Sequence, residues 1–158
     1  MDYNKVFLLY DSRSGSTYLA NRLNSNIKNY IVTPEINFNS LFDLYKRDAS
    51  ANIDAIISAL RIGRCFKALK IEEEDFRNAC NKSNASGCNN ILNILFGLYI
   101  DLKGYKQKNI KGIIIKKGDH YKYVKWINKC VPSVSFLYLS RDPRQIYESK
   151  RRTSRPYV

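Results

Sequence analysis

The segment from Asp11 to Thr17 combines hydroxyl-bearing residues, one arginine and one glycine in the order DSRSGST. Hydroxyl and guanidinium groups donate hydrogen bonds, and Arg13 adds a fixed positive charge. The segment follows an apolar run at residues 6–10 and precedes side chains that recur at helical spacing over residues 18–23. Free N–H groups at a helix start attract phosphate. The pattern therefore predicts an anion-binding loop; a serine-rich turn that binds nothing is the alternative.

This loop departs from the pattern of nucleoside-triphosphate loops, G-x-x-x-x-G-K-[ST]. The first glycine of that pattern is missing, and serine rather than lysine follows Gly15. ATP and GTP are therefore disfavoured as ligands.

A second polar group follows another strand-like run near the other end of the chain. The run at residues 134–139 leads into SRDPR, and Ser149 lies eight positions after Arg141. Pro143 suits the first position of a helix, since the N–H that proline lacks is not needed there. Ser149 would then lie about two turns along that helix. The alternative for Arg141 and Asp142 is a local ion pair that caps the helix.

Taken together, the two segments resemble the donor-binding segments of the sulfotransferase family. Residues 12–17 are similar to the 5′-phosphosulfate loop of the carbohydrate-type branch, in which arginine stands where the cytosolic branch has lysine. Residues 136–149 are similar to the 3′-phosphate segment, and the order and separation of the two segments also fit the family. The resemblance implies 3′-phosphoadenosine 5′-phosphosulfate as the co-substrate, with no metal required. It assigns donor binding to Arg13, Ser14, Gly15, Ser16, Thr17, Arg141 and Ser149.

Glu35, Lys116 and His120 are, with Arg13, the candidates for the transfer step. Glu35 follows the second strand-like run, where several branches of the family carry a catalytic glutamate; an ordinary helix-start acid is the alternative. Lys116 lies where carbohydrate-type relatives have a lysine before a turn that contains proline. That proline is missing here, so the assignment could shift to Lys117. His120, the only histidine, could act as a base near neutral pH, the alternative being a surface residue at a helix start.

The resemblance implies transfer of a sulfuryl group to a hydroxyl or amine of a carbohydrate or another small acceptor. Family members continue beyond the 3′-phosphate segment with further helices and a loop that covers the nucleotide, whereas this chain stops at Val158. We therefore expect one domain over residues 1–158 that lacks the C-terminal part of the family fold. Two alternatives remain open: a catalytically silent nucleotide-binding module and a basic nucleic-acid-binding protein.

The chain is strongly basic, with 27 lysines and arginines against 14 acidic residues and a formal charge of +13. This excess predicts affinity for polyanions, such as the anionic donor. The 12 tyrosines among basic residues are compatible with nucleic acid. No recognised nucleic-acid-binding motif accompanies them, so nucleic acid is the disfavoured partner. A solvated lysine-rich face accounts for the charge equally well.

The cysteines and the apolar runs bear on metal binding and location. Cys65, Cys80, Cys88 and Cys130 show no C-x-x-C spacing, so we expect no zinc site. Without a secretory leader the thiols are expected to be reduced, although Cys80 and Cys88 could pair in an oxidising compartment. No apolar run reaches membrane-spanning length. We therefore expect a cytoplasmic protein without a transmembrane segment.

The candidate residues must be positioned by strands and helices that alternate along the chain. Strands are predicted at residues 6–10, 30–33, 110–115 and 134–139, with Pro34 ending the second. The last two strands and the helix between them form a parallel βαβ unit of about 30 residues. The predicted fold is α/β: a three-layer, P-loop-like parallel sheet flanked by helices. Parallel strands place their carboxyl ends at one edge, where the candidate residues should meet.

The middle of the chain is less informative. A buried helix is predicted at residues 91–102 because its apolar residues are broadly distributed around a helix. Residues 66–71 could form a strand or a connector, and residues 81–90, rich in asparagine, serine and glycine, are predicted to form a loop or lid.

Overall fold

The computed structural model describes residues 2–11 and 14–153, with the backbone alone for residues 119, 149, 150, 152 and 153. The strands of this part are β1 (Asn4–Tyr10), β2 (Tyr30–Glu35), β3 (Gly112–Lys116) and β4 (Val134–Leu139). Its α-helices are α1 (Ser16–Asn26), α2 (Asn39–Arg47), α3 (Ile53–Ile62), α4 (Cys65–Leu69), α5 (Glu73–Ser83), α6 (Gly87–Leu102), α7 (Val124–Cys130) and α8 (Pro143–Thr153). Short 3₁₀ helices lie at Gln107–Asn109 and Gly118–Tyr123.

The four strands form one parallel sheet in the order β2-β3-β1-β4. Phe7 in β1 pairs with Ile115 of β3 on one side and with Phe136 of β4 on the other. The predicted α/β fold, with a parallel sheet flanked by helices, is confirmed. Because the strands run in one direction, their carboxyl ends share one edge of the sheet.

Alternate residues of the strands pack on opposite sides of the sheet. Phe7 and Ile115 join the main core cluster, to which α2, α3 and α6 contribute most of their buried residues. Leu8 and Ile114 are also buried but point to the other face, on the side of α1. Burying each of these large side chains stabilises the fold by roughly 1.5–3 kcal/mol.

The chain connections leave β1 and β3 in opposite directions. From β1 the chain crosses over β3 to reach β2, and from β3 it crosses over β1 to reach β4. Because parallel crossovers are right-handed, these two connections pass over opposite faces of the sheet. A crevice therefore opens at the carboxyl ends of β1 and β3, where open parallel sheets bind ligands.

Pro34 does not end β2, contrary to the prediction. The strand runs to Glu35, and its pairing with β3 shifts register between Val32 and Glu35. Proline is tolerated there because β2 lies at the sheet edge and the irregularity needs no ladder N–H from this residue.

Two further expectations for the middle of the chain are wrong. The stretch expected to be a strand or connector is largely helical, since Cys65, Phe66 and Leu69 bury one side of α4. Most of the expected loop at residues 81–90 belongs to α5 and α6, and only residues 84–86 connect them. Asn84 ends α5 in a left-handed conformation, with φ of 47°, which asparagine adopts more readily than most residues. The buried helix expected at residues 91–102 is confirmed as part of α6.

Candidate functional site

The loop after β1 delivers the chain into the first turn of α1. Gly15 precedes the helix with φ of 90°, a left-handed conformation that glycine adopts without steric cost. Within the described residues, no side chain caps α1 and no acidic residue lies in its first turn. The N–H groups of that turn are therefore available to an anion.

Ser14 and Ser16 are both largely buried at this loop. The backbone N–H of Ser14 donates to the carbonyl of Asp11 at 3.1 Å, which fixes the turn. Ser14 is 7% exposed, and its hydroxyl is buried without a hydrogen-bond partner among the described residues. An unpaired buried hydroxyl is costly, and a ligand oxygen would remove that cost. Arg13, the cation predicted for this loop, lies outside the described residues.

Lys116 connects the end of β3 to the loop after β1. Its ammonium donates to the Thr17 hydroxyl oxygen at 3.0 Å and lies 5.9 Å from the centre of the Tyr10 ring. Its backbone N–H donates to the hydroxyl oxygen of buried Thr33 at 3.2 Å. Lys116 therefore places a positive charge over the start of α1.

Glu35 and Lys117 form an ion pair at the neighbouring strand ends, with 3.0 Å between Oε1 and Nζ. Partial burial alone would raise the pKa of Glu35. The hydrogen bond and charge of Lys117, with smaller contributions from Tyr10 and Lys116, outweigh it and hold this pKa below its usual value. The Glu35 side chain is 53% exposed, so an ionised carboxylate faces solvent at this edge.

Tyr10 supplies a hydroxyl beneath this ion pair. The hydroxyl is buried and makes no hydrogen bond of good geometry with a described residue, although it lies close enough to Glu35 for the carboxylate charge to oppose its deprotonation. Burial, followed by the Glu35 charge, raises the pKa of Tyr10 to about 12. Tyr10 therefore stays protonated at neutral pH.

The segment after β4 lies beside the loop after β1, because Tyr10 pairs with Leu139 at the strand ends. The Tyr138 hydroxyl donates to a carboxylate oxygen of Asp11 at 3.0 Å. Arg141 follows at this edge, and its Nε donates to the Gln145 side chain at 2.8 Å.

Pro143 begins α8, as predicted, and Asp142 caps it. The Asp142 carboxylate accepts the backbone N–H of Arg144 at 2.9 Å and pairs with its guanidinium at 2.8 Å, which lowers the pKa of Asp142. Ser149 lies about 9 Å along α8 from Pro143. The orientation of its side chain lies outside the described residues.

His120 is fully buried, so the interpretation as a surface residue is wrong. Its Nε2 accepts the backbone N–H of Phe38 at 3.1 Å, and its ring stacks on the Phe38 ring with centroids 5.9 Å apart. Burial, with a smaller contribution from the charge of Lys117, lowers the pKa of His120 to about 3. The imidazole is therefore neutral at physiological pH and faces the core rather than the sheet edge.

Gly118 permits the close contact that holds the lysines at this edge. A Cβ at this position would overlap the carbonyl oxygen of Tyr10, so any side chain would displace the turn from the end of β1. The preceding N–H, that of Lys117, donates to the Leu8 carbonyl at 3.4 Å.

The structure thus brings Ser14, Thr17, Glu35 and Lys116 to neighbouring strand ends, with Arg141 after the adjacent strand. Sequence reasoning missed the contributions of Tyr10 and Thr33 and the pairing of Lys117 with Glu35. The two consecutive lysines after an apolar strand were the only signal for that pairing. Nothing local marked Tyr10 or Thr33, since both types are common in strands.

The described residues hold no cluster of three or more histidine, cysteine, aspartate or glutamate side chains suited to a metal ion. All four cysteines are free thiols, and burial raises the pKa of Cys65 to about 12 and that of Cys80 to about 11. Among the described helices, none has the length and apolar character required to cross a bilayer.

Comparisons with known proteins found no matching family model and no matching curated protein. The roles of the edge residues therefore rest on their geometry and on the two short segments that resemble the sulfotransferase family.

Proposed function

We propose that this chain is a sulfotransferase that moves a sulfuryl group from 3′-phosphoadenosine 5′-phosphosulfate to a hydroxyl or amine of a carbohydrate or another small acceptor. One observation carries the proposal. Asp11, directly before the first segment that resembles the family, and Tyr138, within the second, are 127 positions apart, yet a hydrogen bond joins them at the carboxyl ends of adjacent strands. The unpaired Ser14 hydroxyl, the uncapped start of α1 and the Lys116 ammonium lie at the same sheet edge.

The 5′-phosphosulfate would lie against the start of α1. The first-turn N–H groups, the unpaired Ser14 hydroxyl and the Thr17 hydroxyl provide donors, and Lys116 provides a charge. These groups are already at the sheet edge before the donor binds. They can therefore stabilise the charge that develops in the transition state with little reorganisation of the protein. Arg13 is proposed to add its guanidinium to this set.

The 3′-phosphate would lie beyond β4, near Arg141 before the start of α8 and Ser149 about two turns along it. Arg141 follows the strand next to β1, so its position suits the opposite end of the same nucleotide. Guanidinium groups bind phosphate through charge-assisted hydrogen bonds, which makes Arg141 the main proposed determinant of the 3′-phosphate.

In the transfer step, the acceptor oxygen or nitrogen attacks the sulfur and forms a new bond to it. The bond between sulfur and the bridging oxygen of the 5′-phosphate breaks, and its electron pair stays on that oxygen in adenosine 3′,5′-bisphosphate. Lys116 would stabilise the negative charge on this oxygen. Glu35, ionised and exposed, would accept the proton of the acceptor. His120 has no part in this scheme because it is buried in the core.

Binding of adenosine 3′,5′-bisphosphate tests the donor site. We expect the bisphosphate to raise the melting temperature, and adenosine 5′-monophosphate, which lacks the 3′-phosphate, to raise it less. Arg141→Ala should abolish the difference between the two nucleotides. Arg144→Ala is the matched control, since this arginine is already paired with Asp142. Equal stabilisation by both nucleotides in the unaltered protein would contradict the proposed 3′-phosphate site.

Transfer of radiolabelled sulfate from the donor to a panel of sugars and amines tests the reaction. Glu35→Gln should lower the rate by at least about 100-fold, the usual contribution of a general base, while bisphosphate binding persists. If the unaltered chain binds the bisphosphate and transfers to no acceptor, it is the silent nucleotide-binding module instead.

A further inference from the structure

A groove of about 360 Å³ extends from the proposed site along α1, between this helix and β2. Thr17 and Lys116 line it where it meets the site, and Asn21 and Asn24 line it along α1. Asn24 lies about 10 Å along the helix from Thr17. The volume falls within the range of about 300–1,000 Å³ typical of small-ligand pockets.

The charges that line this groove are all positive. Lys116, Lys70 at the end of α4 and Lys103 at the end of α6 contribute ammonium groups, and no described lining residue carries a carboxylate. None of the three lysines forms an ion pair with a described residue. The three ammonium groups repel one another, and no carboxylate among the described lining residues offsets this repulsion. Binding of an acidic ligand would therefore be favoured.

The remaining walls suit a molecule with hydroxyl groups. The Asn21 and Asn24 amides can both donate and accept hydrogen bonds. Val32 and Pro34, which are not buried, provide apolar surface against which the C–H face of a sugar ring can pack. The Lys103 ammonium lies 5.6 Å from the Tyr99 ring centre, so charge and apolar surface are adjacent.

We propose that this groove binds a small acidic saccharide, one that carries a carboxylate or sulfate besides its hydroxyls. The acid group lies at Lys70 and Lys103, and a hydroxyl lies at Thr17 and Lys116. That the saccharide binds in the groove does not depend on the proposed function. That the saccharide is the acceptor rests on that function. The reactive hydroxyl then reaches the phosphosulfate loop directly from the groove.

A matched pair of probes tests the acid preference: 4-nitrophenyl β-D-glucuronide and 4-nitrophenyl β-D-glucoside. The first has a carboxylate where the second has a hydroxymethyl group. We expect titration calorimetry or NMR to show tighter binding of the glucuronide. Lys70→Ala combined with Lys103→Ala should reduce that preference about tenfold, as expected for the loss of hydrogen bonds to a charged group. Lys67→Ala combined with Lys106→Ala removes the same charge from the same region outside the groove and should preserve the preference.

Folding and the donor site are checked separately. A second double variant, Lys70→Gln with Lys103→Gln, keeps most of the side-chain length and a polar end without the charge. It should show the same loss, with an unchanged circular dichroism spectrum. Both groove variants should retain stabilisation by adenosine 3′,5′-bisphosphate.

Equal binding of the two probes by the unaltered chain, or no binding of either at millimolar concentration, would overturn the inference. An acid preference that the groove variants leave unchanged would overturn it too. A glucuronide preference that depends on Lys70 and Lys103 supports the groove even if no sulfuryl transfer is found, in which case the proposed function alone fails. Transfer to neutral sugars without an acid preference would leave that function intact and remove only the groove.

Discussion

Burial of His120 among aromatic rings makes its protonation costly. Because Nε2 accepts a hydrogen bond from Phe38, the neutral ring carries its proton on Nδ1, which has no partner among the described residues. The pKa of about 3 in the folded chain lies below the ordinary value of 6.5. Between these two values the unfolded chain binds a proton that the folded chain does not.

The free energy of unfolding should therefore fall as pH drops from about 6.5 toward about 3, by about 1.4 kcal/mol per pH unit from this residue. His120→Gln keeps an acceptor for the Phe38 N–H and does not titrate. Urea unfolding from pH 7 to pH 4 should show a steeper loss of stability for the unaltered chain than for the variant. Parallel pH dependences would contradict the assigned protonation state.

Lys117 lowers the pKa of Glu35, the carboxylate proposed as the base. Lys117→Met keeps the side-chain length and removes the ammonium that holds the pKa of Glu35 low, so this pKa should rise toward its usual value. Carbon-13 NMR of the Glu35 carboxyl carbon measures the shift directly. If Glu35 is the base, the acid limb of the pH–rate profile should move to higher pH by the same amount.

Lys122→Met is the control for this experiment, because Lys122 lies in the 3₁₀ helix that follows Lys117 and contacts the Tyr121 ring instead. A pH–rate profile that stays unchanged while the pKa of Glu35 rises would assign the base to another residue.

At the scale of elements, the turn after β3 depends on its approach to β1. Gly118→Ala should destabilise the fold by about 2 kcal/mol or more, since a new Cβ would overlap the Tyr10 carbonyl and the central strand cannot easily move. It should also weaken stabilisation by the bisphosphate, because Lys116 and Thr17 would separate.

Gly104→Ala provides the comparison. Its Cβ would meet nothing within 4 Å, but φ is 73°, so only backbone strain of about 1–2 kcal/mol is expected, with bisphosphate binding unchanged. Urea unfolding and thermal shifts measure both effects. A smaller effect on nucleotide binding for Gly118→Ala than for Gly104→Ala would show that this turn does not position the site.

The strands were predictable because each is a short apolar run bounded by polar residues, and β4 has the predicted bounds. The stretch around Phe66 was not, because a short apolar run has no decisive period, and packing of α4 against the core selects the helix. Likewise, the polar residues around His120 gave no sign of burial. Phe38, just before α2, and Phe42, in α2, cover the ring from some 80 positions away.

At the scale of the whole molecule, the sequence predicted the sheet edge but not what surrounds it. Two local motifs and the parallel topology were enough to bring the loop after β1 beside Arg141. The groove could not be predicted from the sequence, because Lys70, Lys103 and Lys116 come from three distant segments. They line one groove only in the folded chain. Sites composed of single residues from many elements leave no sequence pattern.

The charge of +13 leaves one competing function, nucleic-acid binding, and salt separates it from the proposed one. Binding that depends on overall charge releases counterions, so affinity for a fluorescent oligonucleotide should fall steeply between 50 and 200 mM salt and be indifferent to base sequence. The bisphosphate should still stabilise the chain at 200 mM salt, because fixed donors at α1 and Arg141 supply short-range contacts. Arg141→Ala should remove that stabilisation while lowering oligonucleotide affinity only as much as Arg144→Ala does. Salt-resistant, sequence-dependent oligonucleotide binding without any response to the bisphosphate would instead establish nucleic acid as the partner.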